Sequence, residues 1–352
     1  MKDDDSIEDD DVAPSNQFLD DNGIFSGLNF VQYLQEEGSK VPYDYNKPER
    51  GQLPPYYDEI KFKKAQDVFK EYACNLLFVK LAGLVTLLVD ESAVRIMILT
   101  NRSSTPEKAC QRYKDTIKHV ITWYVSDLHD GSALWQSICR VKMMHRGANA
   151  QAGKVPGMPQ ITQLELAGTV FGFIGYAVTR PQSFGLDSLT NTELEALMHF
   201  WRVIGYMLGV DDKFNICRES SEETIAIFDA LLSTCFKQHM LMKDPSCLQM
   251  QFAAIEGISM LGLPIRPKPF LNFTYGLICW DETVDPSLAV EVKGYGYIYS
   301  TAENKRLNGL SLSMSKDRET LEEEKDGEDA GTGSCEGSPK EAIRIMKGVR
   351  AS

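Results

Sequence analysis

Redox or metal chemistry in this chain of 352 residues would turn first on five histidines, His119, His129, His145, His199 and His239. His145 differs from the others by position. In QSICRVKMMHRGA it falls in line with Leu134, Ile138 and Val141, at steps of four, three and four, which is one inward face of a helix. An imidazole on such a face needs a partner for its ring nitrogens, because an unpaired buried polar group costs about 1–3 kcal/mol. The partner is a carbonyl, a side chain or a metal, and spacing leaves all three open.

The preceding helical segment, ACQRYKDT, places Arg112 and Thr116 one turn apart on a shared face, with His119 close by and Trp123 two turns on. An inward arginine and threonine beside a histidine-bearing helix suit a bound carboxylate or an oxygen species. The plain alternative is an arginine neutralised by an acid and a threonine bonded back to its own helix. Arg202, beside Trp201 in HFWRVIGYMLGVDD, raises the same question. In so apolar a setting it needs an acid or an anionic ligand, unless it snorkels along the helix surface past Trp201.

Other chemistries are disfavoured. There is no G-x-S-x-G elbow, no Walker loop, no G-x-G-x-x-G and no H-E-x-x-H. The eight cysteines are scattered with no C-x-x-C pair, which reads as reduced thiols in the cytosol. The net charge of −13 is concentrated at the ends: residues 1–12 carry −6 and residues 315–329 carry −5, leaving −2 for the rest. No basic stripe offers itself to phosphates, so nucleic acid is not an expected partner. The first residues are aspartates rather than a basic, then apolar leader, which argues against secretion by that route. The longest apolar run, LLFVKLAGLVTLLV, is shorter than the roughly 20 residues of a bilayer span. It reads as a core helix, so no transmembrane segment is expected, with peripheral membrane contact left open.

Helices must position these residues. Apolar residues at Phe62, Ala65, Phe69, Ala73, Leu76 and Val79 predict a helix from Asp58 to Lys80. Pro106, with Ser104 and Glu107 as a capping box, predicts another over 106–128. Gly131-Ser132 opens the histidine-bearing helix, predicted to end near Gly147. Thr162 with Glu165, Thr190 with Glu193 and Ser220 with Glu223 start three more, the second ending at Gly209. Asp244-Pro245 starts the last, ending near Gly262. The only strand-like segment is Tyr295 to Tyr299. The expected fold is all-α, one globular domain of eight to ten helices over 52–302, flanked by disordered acidic tails over 1–51 and 303–352.

Three blocks in this order, ACQRYKDT with its R-x-x-x-T, VKMMHRG and HFWRVIGYMLGVDD, together with FGLDSLTNTEL, resemble the catalytic domain shared by ER-bound mpaB-type oxygenases and latex-clearing rubber oxygenases. The likeness spans roughly residues 60–290. It implies an all-α domain holding haem b, with His145 as the iron ligand, Arg112 and Thr116 beside the haem and its oxygen site, and Arg202 among the cofactor-binding residues. It implies O2 as co-substrate and oxidation of a small hydrophobic, isoprenoid or lipid-like molecule. The family's lysine before the motif threonine is Asp115 here, which is carried with Arg112 and Thr116 as a catalytic position. Glu91 is a stand-in for the family's upstream acid, and Asn149 stands where many members have arginine. The readings set against a haem oxygenase are a haem- or lipid-binding protein without turnover, and a helical interaction protein. The expected location is the cytoplasm, with the cytosolic face of the endoplasmic reticulum as the alternative.

Overall fold

The computed structural model describes residues 15–49, 51–263 and 265–279. Among them are eleven α-helices and no β-strand, so the all-α expectation holds. They are α1 (Gly27–Glu36), α2 (Glu59–Leu87), α3 (Glu91–Thr100), α4 (Pro106–Val125), α5 (Ala133–Ala152), α6 (Gln163–Thr179), α7 (Asn191–Met207), α8 (Ser221–Ala230), α9 (Lys237–Met242), α10 (Pro245–Ser259) and α11 (Pro267–Ile278). A π-helical segment, Leu231–Phe236, joins α8 to α9.

Most helix starts answer to a local signal, because the first turn leaves amide groups that a side chain can satisfy. Asp58, Asp90, Ser132, Thr190, Ser220 and Asp244 all accept from an amide in the first turn of their helix. Thr162 and Glu165 form the expected capping box on α6. Two expectations shift. The cap of α4 is Thr105, whose hydroxyl accepts from Lys108 N, while Ser104 is buried. The helix α5 continues through Gly147 to Ala152. Gly147 therefore sits mid-helix, where a glycine costs helix propensity without breaking the helix.

The long helix α2 runs through the core and packs on α4, α6, α7 and α11. Its crossing with α6 is made by two glycines: a Cβ on Gly83 would collide with the Gly172 carbonyl. The apolar run therefore reads as expected, as a buried helix, and among the described residues no single helix is long and apolar enough to cross a membrane. A stack of Phe69, Tyr124 and Phe200, with centroids 4.0 and 4.3 Å apart and planes within 5°, ties α2 to α4 and α7. Beneath it Lys80 is 8% exposed, with its Nζ 5.1 Å from the Tyr124 ring centre and 5.4 Å from that of Trp201. Burial pulls its pKa down to about 7.

The N-terminal segment corrects an expectation. Over 15–49 it is part of the globule: Phe30, Val31 and Leu34 of α1 are buried, and α1 packs along α8. The segment after it pairs with the start of α6, through Tyr43 N to Ile161 O (3.1 Å) and Gln163 N to Val41 O (3.0 Å). The strand-like stretch 295–299, the charged stretches 1–12 and 315–329 and the boundary at 302 lie outside the described residues.

Candidate functional site

Helices α4 and α5 lie against each other, and α3 packs on α5 from the side. The charge of Arg112 on α4 thereby acts on His145 on α5. His145 keeps its Nδ1 fully buried with no hydrogen-bond partner. The contrast with three of the other four histidines is direct: a ring nitrogen of His119 bonds Ser137 Oγ (2.7 Å), His129 bonds the Asp130 carbonyl (3.0 Å), and His199 accepts from Asp58 N (3.1 Å). Burial first, then the charge of Arg112, push the pKa of His145 down to about 4. At neutral pH it is an uncharged imidazole, the protonation state a metal needs from histidine.

Arg112 is the second anomaly. Its guanidinium is half-buried and donates to Ser103 Oγ (3.1 Å), and no carboxylate pairs with it among the described residues. Burial, with Arg102 acting in the same sense, lowers its pKa from the ordinary arginine value. The acid-paired arginine considered from sequence is therefore not what α4 carries. Next to it Tyr113 is buried, with its hydroxyl at the Ser103 side chain that also holds Arg112. An uncompensated cation and a free imidazole nitrogen are costly as protein alone. Together they suit a ligand that offers both a Lewis-acidic centre and an anionic group.

The other candidate residues are placed differently. Thr116 donates its hydroxyl proton to the Arg112 carbonyl (3.0 Å), the back-bonded arrangement, while its oxygen can still accept. Asp115 accepts from Gln111 Nε2 (3.1 Å) and lies 3.8 Å from Lys118 Nζ, in an i to i+4 and i+3 cluster along one stripe of α4. It does not join the pair at His145. Glu91 is exposed in the first turn of α3. Asn149 clamps Ile161 by two hydrogen bonds, to O (3.2 Å) and from N (2.7 Å). Arg202 has the partner its setting demands, and it is an acid: Nε and Nη2 reach the two oxygens of Asp212 at 3.2 and 2.9 Å, with Tyr56 stacked 3.7 Å from the guanidinium carbon. Both charges are buried, so the arginine is committed to Asp212 and does not snorkel.

Sequence reasoning did not single out Tyr43, Ser103 or Tyr113. The ring of Tyr43 meets that of His145 edge to face, centroids 5.9 Å apart at 74°, and its buried hydroxyl has no hydrogen-bond partner. Tyr113 sits inside the quoted motif, next to Arg112, and was open to notice there. Tyr43 lies 102 positions from His145 in the chain and no local spacing signals it.

No group of three or more His, Cys, Asp or Glu side chains capable of holding a metal occurs among the described residues. Single-histidine ligation with the other ligands brought by a macrocycle is compatible with that, and the residues at His145 fit such a group. A cleft of about 260 Å³ lined by Tyr57, Phe62, Gln66 and His129, among others, lies at the start of α2 and includes none of these residues.

The site is thus a half-buried histidine under the charge of a half-buried arginine, within an all-α domain. A family model described as "ER-bound oxygenase mpaB/B'/Rubber oxygenase, catalytic domain" matches residues 73–264, and the chain belongs to that family. Comparison with curated proteins returns no match. A solved structure, described as latex clearing protein in the closed state, is similar at 12% identity with a TM-score of 0.38, over 95% of this chain and 91% of that one.

Proposed function

We propose that this chain is a haem-dependent oxygenase acting on a small hydrophobic substrate, with His145 as the residue that would hold the iron. The observation that carries the proposal is the buried, unpartnered Nδ1 of His145 beside an arginine that no acid neutralises. Family membership supports oxygenase chemistry, and the residues supply what a haem requires.

In this reading His145 would hold the iron through a neutral nitrogen, and Arg112 would hold a haem carboxylate by a charge-assisted hydrogen bond. Ser103 holds the guanidinium in place by its hydroxyl. Thr116 would offer an acceptor oxygen on the same stripe of α4 as Arg112. The haem, when bound, would supply the activation of O2.

The test is optical. Protein loaded with haem gives a Soret band, and His145→Ala abolishes or displaces it. An unchanged band in the variant rejects the ligand assignment.

A second reading, haem binding without turnover, has one observation in its favour. Thr116 spends its only proton on its own helix and Asp115 is engaged with Gln111 and Lys118, so neither offers a proton at His145. Oxygen uptake coupled to product formation from an unsaturated isoprenoid would remove this reading.

A further inference from the structure

We propose that Tyr43 is a positioning residue for His145, and that the segment 41–47 carrying it is a wall of the site lying outside the family-matched region 73–264. This rests on the assignment of His145 as the ligand-bearing residue.

The segment is strapped along the same face of α5 that bears His145. Lys142 Nζ donates to the Lys47 carbonyl at 2.6 Å, the guanidinium of Arg146 lies 4.3 Å from the Tyr45 ring centre, and Tyr43 meets the imidazole between them. Residues 142, 145, 146 and 149 are neighbours on a helix surface. The fourth, Asn149, clamps Ile161, whose carbonyl accepts from Tyr43 N. The strap is thus tied at both sides of the histidine.

A third contact shows that close approach of Tyr43 is built in. Gly209 has a φ of 103°, and a Cβ there would lie 2.8 Å from Tyr43 Cε2. Gln163, whose own N bonds the strap at Val41 O, holds the Gly209 carbonyl by its side chain at 2.9 Å. Glycine at 209 leaves the space the phenol ring occupies, besides ending α7.

The chemistry follows from the geometry. The Tyr43 ring, set edge to face with the imidazole, restricts rotation of the His145 ring and shields that side from water. The Tyr43 hydroxyl, buried and unpartnered, is a donor left for a polar atom of whatever molecule occupies the site. An imidazole held by surrounding partners binds its metal more tightly than a free one.

The test uses the full chain with Tyr43→Phe and Tyr43→Leu. In haem-free protein, histidine-ring NMR resolves five signals, and His145→Gln identifies the one for His145. Tyr43→Leu should move that signal by loss of the aromatic ring current and broaden it as the imidazole gains rotamers. Tyr43→Phe should restore its position and width, and the other four signals, which report that the chain is folded, should stay. A His145 signal unmoved in Tyr43→Leu overturns the proposal. With haem bound, Tyr43→Leu should release it to a haem scavenger about 10- to 100-fold faster than Tyr43→Phe, the range for partners that orient a metal-bound histidine. Equal release rates also overturn it. If the unsubstituted chain takes up no haem, the ligand assignment fails, and the NMR arm on haem-free protein still decides the placement of Tyr43.

Discussion

The ammonium of Lys80 sits over the face of Tyr124, 5.1 Å from the ring centre, and its hydrogen bond runs to Leu76 O of its own helix at 3.3 Å. No carboxylate pairs with it among the described residues, so the cation is held by that carbonyl and by aromatic rings.

This arrangement makes stability depend on pH with a definite sign. The folded-state pKa of about 7 lies below the ordinary value of 10.5. Between those two values the unfolded chain binds a proton at Lys80 that the folded chain does not, so raising the pH favours folding by about 1.4 kcal/mol per pH unit. Below pH 7 both states are protonated and the full burial penalty applies. Chemical denaturation from pH 6 to 10 should show this slope in the unsubstituted chain and lose its Lys80 component in Lys80→Met, which should be the more stable of the two at pH 6. Identical pH profiles would contradict it.

Arg112 should show opposite effects on stability and on binding. As a half-buried cation without an acid it weakens the haem-free fold, so Arg112→Met should leave haem-free stability unchanged or raise it by about 1 kcal/mol. The same substitution should weaken haem binding by about tenfold or more, through loss of a charge-assisted bond. Thermal melts and haem titration on one preparation read both, and a variant that loses stability without losing haem affinity would refute this role.

Arg202 should behave as part of the fold. Asp212→Ala leaves its buried charge unpaired and should cost about 3–5 kcal/mol, measured by denaturant titration. Replacing both partners, as in Arg202→Met with Asp212→Leu, should recover much of that loss. A double variant as unstable as the single one would mean that the arginine has another role.

The close crossing of α2 and α6 predicts that Gly83→Ala is costly, because the added methyl meets the Gly172 backbone rather than a side chain that can turn away. A loss of about 1–3 kcal/mol is expected. Gly168→Ala on α6, where a Cβ meets nothing within 4 Å, serves as the control and should be neutral or slightly stabilising.

Much of the fold was legible because its signals are local. Thr162 with Glu165 and Thr190 with Glu193 each announce a helix within four residues, and α6 and α7 begin there. The helix α1 had a signal too, with Phe30, Val31 and Leu34 behind a serine cap, but it is short and lies in a polar, acidic stretch that masks it in an average. The site was half legible. His145 follows from the stripe of Leu134, Ile138 and Val141, and Arg112 from its place in the motif. Whether each had a partner could not be read, since Ser103, Asp212 and Tyr43 come to their positions by tertiary packing. Arg112 and Arg202 look equivalent in sequence, and only the fold shows that Asp212 satisfies one and no acid the other.

The central claim is that the lone imidazole of His145 holds an iron. The most direct measurement is the absorption and electron paramagnetic resonance spectrum of the full chain reconstituted with haem, beside His145→Ala prepared the same way. The account predicts one haem per chain with a histidine-ligated spectrum that the variant loses and added imidazole restores. The same spectrum in both proteins, or no haem uptake by the unsubstituted chain, would contradict it.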